Sequence, residues 1–250
     1  DFIADCTMLL TSIEKWVNDE PTQRKGVFLF LDMEKAFDRV SYDYLLDSME
    51  AVGFGPRFCK MVKCMYNLDR PPKRRIYANG YYSDWFKIKS GVAQGCPLSP
   101  LLFLLVGQGL KAALDDDTRI EGIKIGRHRF KISQFADDTT LILKNFLELE
   151  AAESVLSRWQ LATSMKENKD KREGLAMGQY RDKYRKKHTT RSSLPRGVKW
   201  AQEGEFCVSL GVPIGNDLDG DKWWENKLEA VRTKAKQWAP LYRCGYYGRN

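Results

Sequence analysis

SQFADDTTLIL, residues 133–143, sets two carboxylates side by side between a short alternating run and an apolar one. Successive side chains of an extended chain point to opposite faces, so Asp137 and Asp138 cannot both be ordinary surface residues of one strand. The longer stretch HRFKISQFADDTTLIL reads as a β-hairpin with the two acids at its tip. Asp is common in turns, and an isolated Asp-Asp pair would need no more explanation than that. What this pair does depends on what the rest of the chain brings to it.

Working outward, GVFLFLD (26–32) is almost continuously apolar, as expected of a strand buried on both faces, and it also ends in acid, at Asp32. If this strand neighbours the hairpin, three carboxylates converge. Two unit charges about 4 Å apart repel by about 1 kcal/mol in water and about 4 kcal/mol at an effective dielectric near 20. Protons or cations must compensate that repulsion. With neither His nor Cys near these positions the donors are all oxygen, which favours Mg²⁺, with Mn²⁺ as an alternative. Two such ions can clamp an in-line phosphoryl transfer.

Between these elements, LLDSMEAVGF carries Leu45, Leu46, Met49 and Val52 at helical spacing, with Gly53 placed to end the helix. A second short helix carries Phe58, Met61, Val62 and Met65. RRIYANGYYSDWFKI predicts a hairpin turned at Asn79-Gly80 in type I′ geometry. LSPLLFLLVGQGLKAAL predicts a buried helix with Ser99 as N-cap and Pro100 at its first position. After the acidic hairpin comes a helix with Ala152, Val155, Leu156, Trp159 and Ala162 on one face. A short strand in EFCVSLGVPIG and a final helix bearing Trp224, Leu228, Val231, Ala235 and Trp238 complete the chain. This order predicts an α+β fold, an antiparallel sheet with helices packed mainly on one face.

The net charge of +8 is concentrated. RDKYRKKHTTRSSLPRGVK (181–199) holds eight Lys/Arg against one Asp, a net of +7, which leaves +1 for everything else. Such a segment suits contact with phosphate, through Lys183, Arg185, Lys186 and Lys187; a solvated loop without a partner is the competing account. Six scattered cysteines with no CxxC spacing, and two histidines, argue against zinc and a disulfide framework and for reduced thiols in an intracellular protein. No apolar run of about 18 residues is present to span a membrane. The chain opens at Asp1 without Met or a signal-peptide core, and is expected to be a segment of something longer.

LDMEKAFDRV (31–40), SGVAQGCPLSPLLF (90–103) and QFADDTTL (134–141) occur in that order, with 105 residues from Asp32 to Asp137. Together they resemble the palm of reverse transcriptases, most closely those of non-LTR (LINE-type) retrotransposons. The resemblance implies a right-hand polymerase palm over residues 1–215 with partial fingers, and the start of a thumb over 216–250. It implies that Asp32, Asp137 and Asp138 form the metal-binding triad for two Mg²⁺. Phe37 matches the position under the incoming sugar, and Gln94, between Gly91 and Gly95, matches the residue at the templating base and nucleotide. MKENKDKREG (165–174) resembles the family's Asn-x-x-Lys segment, with Asn168 and Lys171 in register, the lysine serving the pyrophosphate leaving group. SLGVPIG resembles the primer-grip region at Leu210 and Gly211, with Ser209 where an aromatic is common.

The activity so implied is RNA-directed DNA polymerisation: extension of a DNA primer 3′-hydroxyl with dNTPs on an RNA template. The implied setting is nuclear, within a longer polyprotein that supplies the remaining fingers, thumb and other domains. Two alternatives stay open. One is a group II intron-type maturase with the same chemistry and a folded intron RNA as partner. The other is a truncated or degenerate nucleic-acid-binding fragment without catalysis. A carboxylate nuclease would use similar metals but gives no account of Phe37 and Gln94.

Overall fold

The computed structural model describes residues 3–181 and 194–243. Lys183, Arg185, Lys186 and Lys187 of the basic segment, and Cys244, lie outside the described residues. The chain begins with helix α1 (Ile3–Asp19), strand β1 (Lys25–Leu31), the single turn α2 (Ala36–Arg39), and helices α3 (Tyr42–Val52) and α4 (Pro56–Met65). A narrow ribbon follows, β2 (Lys73–Arg74), β3 (Tyr77–Ala78), β4 (Tyr81–Tyr82) and β5 (Phe86–Lys87), then helix α5 (Ser99–Asp116). Next are β6 (Ile123–Ile125), β7 (His128–Phe130), β8 (Ile132–Phe135), β9 (Asp138–Leu143) and helix α6 (Glu148–Thr163). A 3₁₀ turn at Lys169–Lys171 leads into β10 (Glu173–Gly178), and β11 (Lys199–Ala201), β12 (Cys207–Ser209), β13 (Val212–Ile214) and helix α7 (Gly220–Arg243) follow.

The central sheet has five strands in the order β11-β10-β1-β9-β8. β1 runs antiparallel to both neighbours, so Phe28 faces Ile142 on one side and Leu175 on the other. Val27, Phe28 and Leu29 are wholly buried, each contributing about 1.5–3 kcal/mol of hydrophobic stabilisation. That two-sided burial is the reason the strand reads as an unbroken apolar run. Alternate residues feed two cores. Val27, Leu29 and Leu31 join the core shared with α3, α5 and α6. Phe28 and Phe30 join Leu10, Ile13 and Val17 of α1 in a smaller core on the opposite face. Helices therefore lie mainly on one face, as expected.

Several expectations are met in detail. Gly53 caps α3 at φ 90°, and Asn79-Gly80 turns the ribbon with both residues at positive φ, the type I′ signature. Other details differ. Ser99 is not the N-cap of α5 but its first residue, buried, with Leu98 at the cap. Ala162 is exposed, and Thr163 takes the buried position at the end of α6. EFCVSLGVPIG forms two strands rather than one, closed into a hairpin by Leu210-Gly211. The sheet is not wholly antiparallel, because β11 joins its edge parallel to β10. Cys6, Cys59, Cys64, Cys96 and Cys207 are all free thiols.

Candidate active site

β1 delivers Asp32 immediately past its last residue, and the next residues are pinned to a distant segment. Met33 bridges to Glu167, Glu34 N–H donates to the Lys166 carbonyl at 2.8 Å, and Asn168 N–H donates to the Asp32 carbonyl at 2.8 Å. This crossing brings Lys171 to Asp32, with Nζ 3.4 Å from Oδ2. Both side chains are well exposed, so the pair adds little to stability. Its neighbour Arg172 is different. Its side chain is 7% exposed and forks onto Glu167, itself 1% exposed, through two hydrogen bonds of 2.6 Å. It donates a third at 2.6 Å to the half-exposed Glu153 of α6. Arg172 thus staples the loop that presents Lys171.

The acidic hairpin is β8–β9, with Phe135 opposite Asp138 and Ala136-Asp137 as the turn. Ala136 sits at φ 53°, a conformation costing a non-glycine residue about 1–2 kcal/mol. Pairing of β9 with β1, Leu31 opposite Thr139, sets Asp138 beside the end of β1. Asp138 and Asp32 line one cavity of about 380 Å³ with Lys171, Glu173, Lys199 and Ser209. The Asp138 carboxyl is pushed up by desolvation in this cavity and by the negative charges of Asp137 and Asp32, against a hydrogen bond from the Leu210 backbone that lowers it. That last contact ties the β12–β13 turn to Asp138. Leu210 and Gly211 both take positive φ, which turns the hairpin tightly and aims the Leu210 amide at Asp138.

The residues expected at the incoming nucleotide lie elsewhere. Phe37 stacks on Phe103 of α5, with ring centroids 4.6 Å apart. It lines a second cavity with Gly107, Gln134, Phe135 and Ala136 of the same hairpin whose Asp138 lines the first. Gln94 and Gly95 stand exposed on the loop before α5. That loop is tied to α2 by Gly91 N–H to the Val40 carbonyl (2.8 Å), Val92 N–H to the Phe37 carbonyl (2.7 Å) and Ser90 Oγ to the Asp38 carbonyl (2.9 Å). Gly91 has φ 88°, and a Cβ there would come within 2.6 Å of the Asp38 carbonyl oxygen. Its glycine is thus required by the Asp38 backbone rather than by a substrate. Gly95, at φ 80°, has open space around it.

The donor set suits a hard divalent cation, since Asp32, Asp137 and Asp138 offer only carboxylate oxygens and Asp138 carries negative charge that its acidic neighbours oppose. Among the described residues no three acidic, His or Cys side chains stand close enough together to form a ready metal site, with Asp32 turned to Lys171. Arg172 and Glu167 were not singled out in the sequence, and Leu210 was expected in the primer-grip region rather than as a partner of Asp138. Arg172 adjoins Lys171, yet one more Lys/Arg in a lysine-rich stretch carries no signal of burial.

The family model described as reverse transcriptase (RNA-dependent DNA polymerase) matches residues 7–215. The chain belongs to the reverse transcriptase family. Its similarity to proteins of retrotransposable elements agrees with a LINE-type reverse transcriptase domain. The Transposon TX1 uncharacterized 149 kDa protein of Xenopus laevis is 33% identical over 190 residues, 74% of this chain and 13% of that protein. The Pol polyprotein of the type-1 retrotransposable element R2 of Nasonia vitripennis is 29% identical over 153 residues, 61% of this chain and 14% of the polyprotein. The chain thus spans about a seventh of the length of these relatives. An apo telomerase from Candida tropicalis aligns with a TM-score of 0.49 and 17% identity, over 77% of this chain and 36% of that one.

Proposed function

We propose that the Asp32–Asp138 cavity is a nucleotidyl-transfer site that extends a DNA primer 3′-hydroxyl with dNTPs on an RNA template. The observation that carries this reading is the meeting, in one cavity, of three distant segments: Asp32 from β1, Asp138 from the hairpin tip, and Lys171 from the loop beyond α6. Residues 1–215 are read as palm with part of the fingers, and 216–250 as the start of the thumb.

Asp32, Asp137 and Asp138 would hold two Mg²⁺, or Mn²⁺, which when bound supply positive charge to the attacking and leaving oxygens. The chain's own residues do the rest. Lys171, held beside Asp32 at 3.4 Å, would place its ammonium to neutralise or protonate the departing pyrophosphate. The Leu210 amide orients the Asp138 carboxyl and favours its charged form against the burial and acidic neighbours that push it up. Phe37, backed by Phe103, presents a rigid ring at the sugar position, where a 2′-hydroxyl would clash, so dNTPs are preferred over rNTPs. Gln94 on its tethered loop contacts the templating base and nucleotide. Lys183, Arg185, Lys186 and Lys187 add phosphate contacts.

The test is primer extension on an RNA template with dNTPs and Mg²⁺, comparing wild type with Asp137→Asn. Extension by the wild type and none by the variant is the expected result. Extension that survives Asp137→Asn overturns the triad.

A further inference from the structure

The ribbon β2–β5 carries chemistry that the nucleotidyl-transfer site does not use. Two short ladders join its arms. Lys73 and Arg74 pair with Lys87 and Phe86, Ser83 N–H donates to the Ile76 carbonyl at 2.8 Å while Ile76 N–H donates to the Ser83 side-chain hydroxyl at 2.8 Å, and Tyr77 and Ala78 pair with Tyr82 and Tyr81. Between the two ladders, residues 75–76 on one arm and 83–85 on the other lie outside the strands.

Such a framework would ordinarily bury its large side chains, yet here they face out. Tyr81 is 81% exposed, Tyr77 62%, Trp85 60% and Tyr82 58%. They are ordered against one another. Tyr77 packs on Tyr82 at 4.7 Å between centroids, and the Arg75 guanidinium lies 3.8 Å over the Tyr82 ring and 4.8 Å over Trp85. Around them, residues 70–89 hold six Lys/Arg (Arg70, Lys73, Arg74, Arg75, Lys87, Lys89) against a single acid, Asp84. The exit strand runs through Ile88, Lys89 and Ser90 directly into the Gly91–Gln94 loop bound to α2.

We infer that this ribbon is a stacking platform for single-stranded nucleic acid. Exposed π-faces interleaved with cations and nearly free of acid match what unpaired bases and their phosphates require. Every base presents a face to stack, and the backbone meets the surrounding ammonium and guanidinium groups. A duplex, with its bases already stacked, gains only the charge contacts. A protein segment is the less suited occupant, since burying the aromatics beneath it would strand this concentration of positive charge unless the segment were acidic. Continuity with the Gln94 loop places the bound strand on the approach to the proposed site. The inference rests on that reading only for which strand is bound, and binding is measured without catalysis.

The test uses the full chain carrying Asp137→Asn, with fluorescein-labelled oligo(U), oligo(dT) and an RNA–DNA duplex followed by anisotropy. Tyr82→Ala with Trp85→Ala is expected to weaken oligo(U) or oligo(dT) binding about tenfold or more while duplex binding changes less than about threefold. Tyr82→Phe with Trp85→Phe, which keeps the rings, is expected to restore single-strand binding. The stronger of the two single-stranded arms identifies the strand as RNA or DNA. All these residues are exposed, and a circular dichroism melt coincident with the parent's confirms that the Ala variant folds. Unchanged single-strand affinity in the folded Ala variant, or equal losses on single strand and duplex, overturns the platform. Extension by the Asp137→Asn chain itself would instead count against the catalytic reading and leave the platform standing.

Discussion

Arg172→Ala is the perturbation that tests most directly how the Lys171 loop is held. In the native chain the guanidinium satisfies Glu167 with two bonds of 2.6 Å, and both side chains are almost wholly buried. Removing the arginine leaves a carboxylate enclosed without its partner, a change that costs about 3–5 kcal/mol. The third bond, to the half-exposed Glu153, adds at most about 1 kcal/mol. Against a domain stability of about 5–15 kcal/mol this is a large fraction. With a urea m-value of about 2–3 kcal/mol/M, the midpoint falls by about 1–2 M. Replacing both partners together, Arg172→Met with Glu167→Leu, removes the stranded charge along with its counter-ion and is expected to recover most of the loss. Urea unfolding followed by tryptophan fluorescence measures all three chains. A single Arg172→Ala variant within about 1 kcal/mol of wild type refutes the claim that this pair carries the loop.

Lys171→Ala should leave stability within about 1 kcal/mol of wild type, because its ion pair is exposed, while single-turnover extension slows about 100-fold or more if the ammonium serves the leaving group. Gly91→Ala is expected to lower the melting temperature clearly more than Gly95→Ala. Both residues have positive φ, worth about 1–2 kcal/mol, but only at Gly91 does the new methyl meet the Asp38 backbone. The Cys207 thiol is pushed up to about 12 by burial and then by the charge of Glu173. It should resist alkylation in native protein near pH 8 while the exposed Cys64 reacts, as peptide mapping after iodoacetamide would show. The same shift favours the folded state up to the ordinary thiol value near 9. That contribution is lost as pH rises from there through about 12, so alanine at Cys207 should flatten this part of an alkaline stability profile.

Much of the fold can be read from local pattern. The apolar run of β1, the turn at Asn79-Gly80, the cap at Gly53 and the acids at the ends of β1 and the β8–β9 turn all follow from residue period and backbone preference, which act over a few neighbours. The family resemblance rests on such strings too, since Asp32, Gln94 and the Asp137-Asp138 pair lie in ordered motifs. What the tertiary structure alone decided are the partnerships across long separations. Lys171 reaches Asp32 because residues 166–168 pair beside the end of β1. Leu210 reaches Asp138 because a hairpin more than 70 residues further along docks over the hairpin tip. Arg172 reads as one basic residue in a lysine-rich stretch, and only burial against Glu167 turns it into a staple. Periodicity states which face of an element is apolar; it does not state which other element that face, or the polar group beside it, will meet. That choice belongs to strand order and register, where energies from the whole chain are weighed at once.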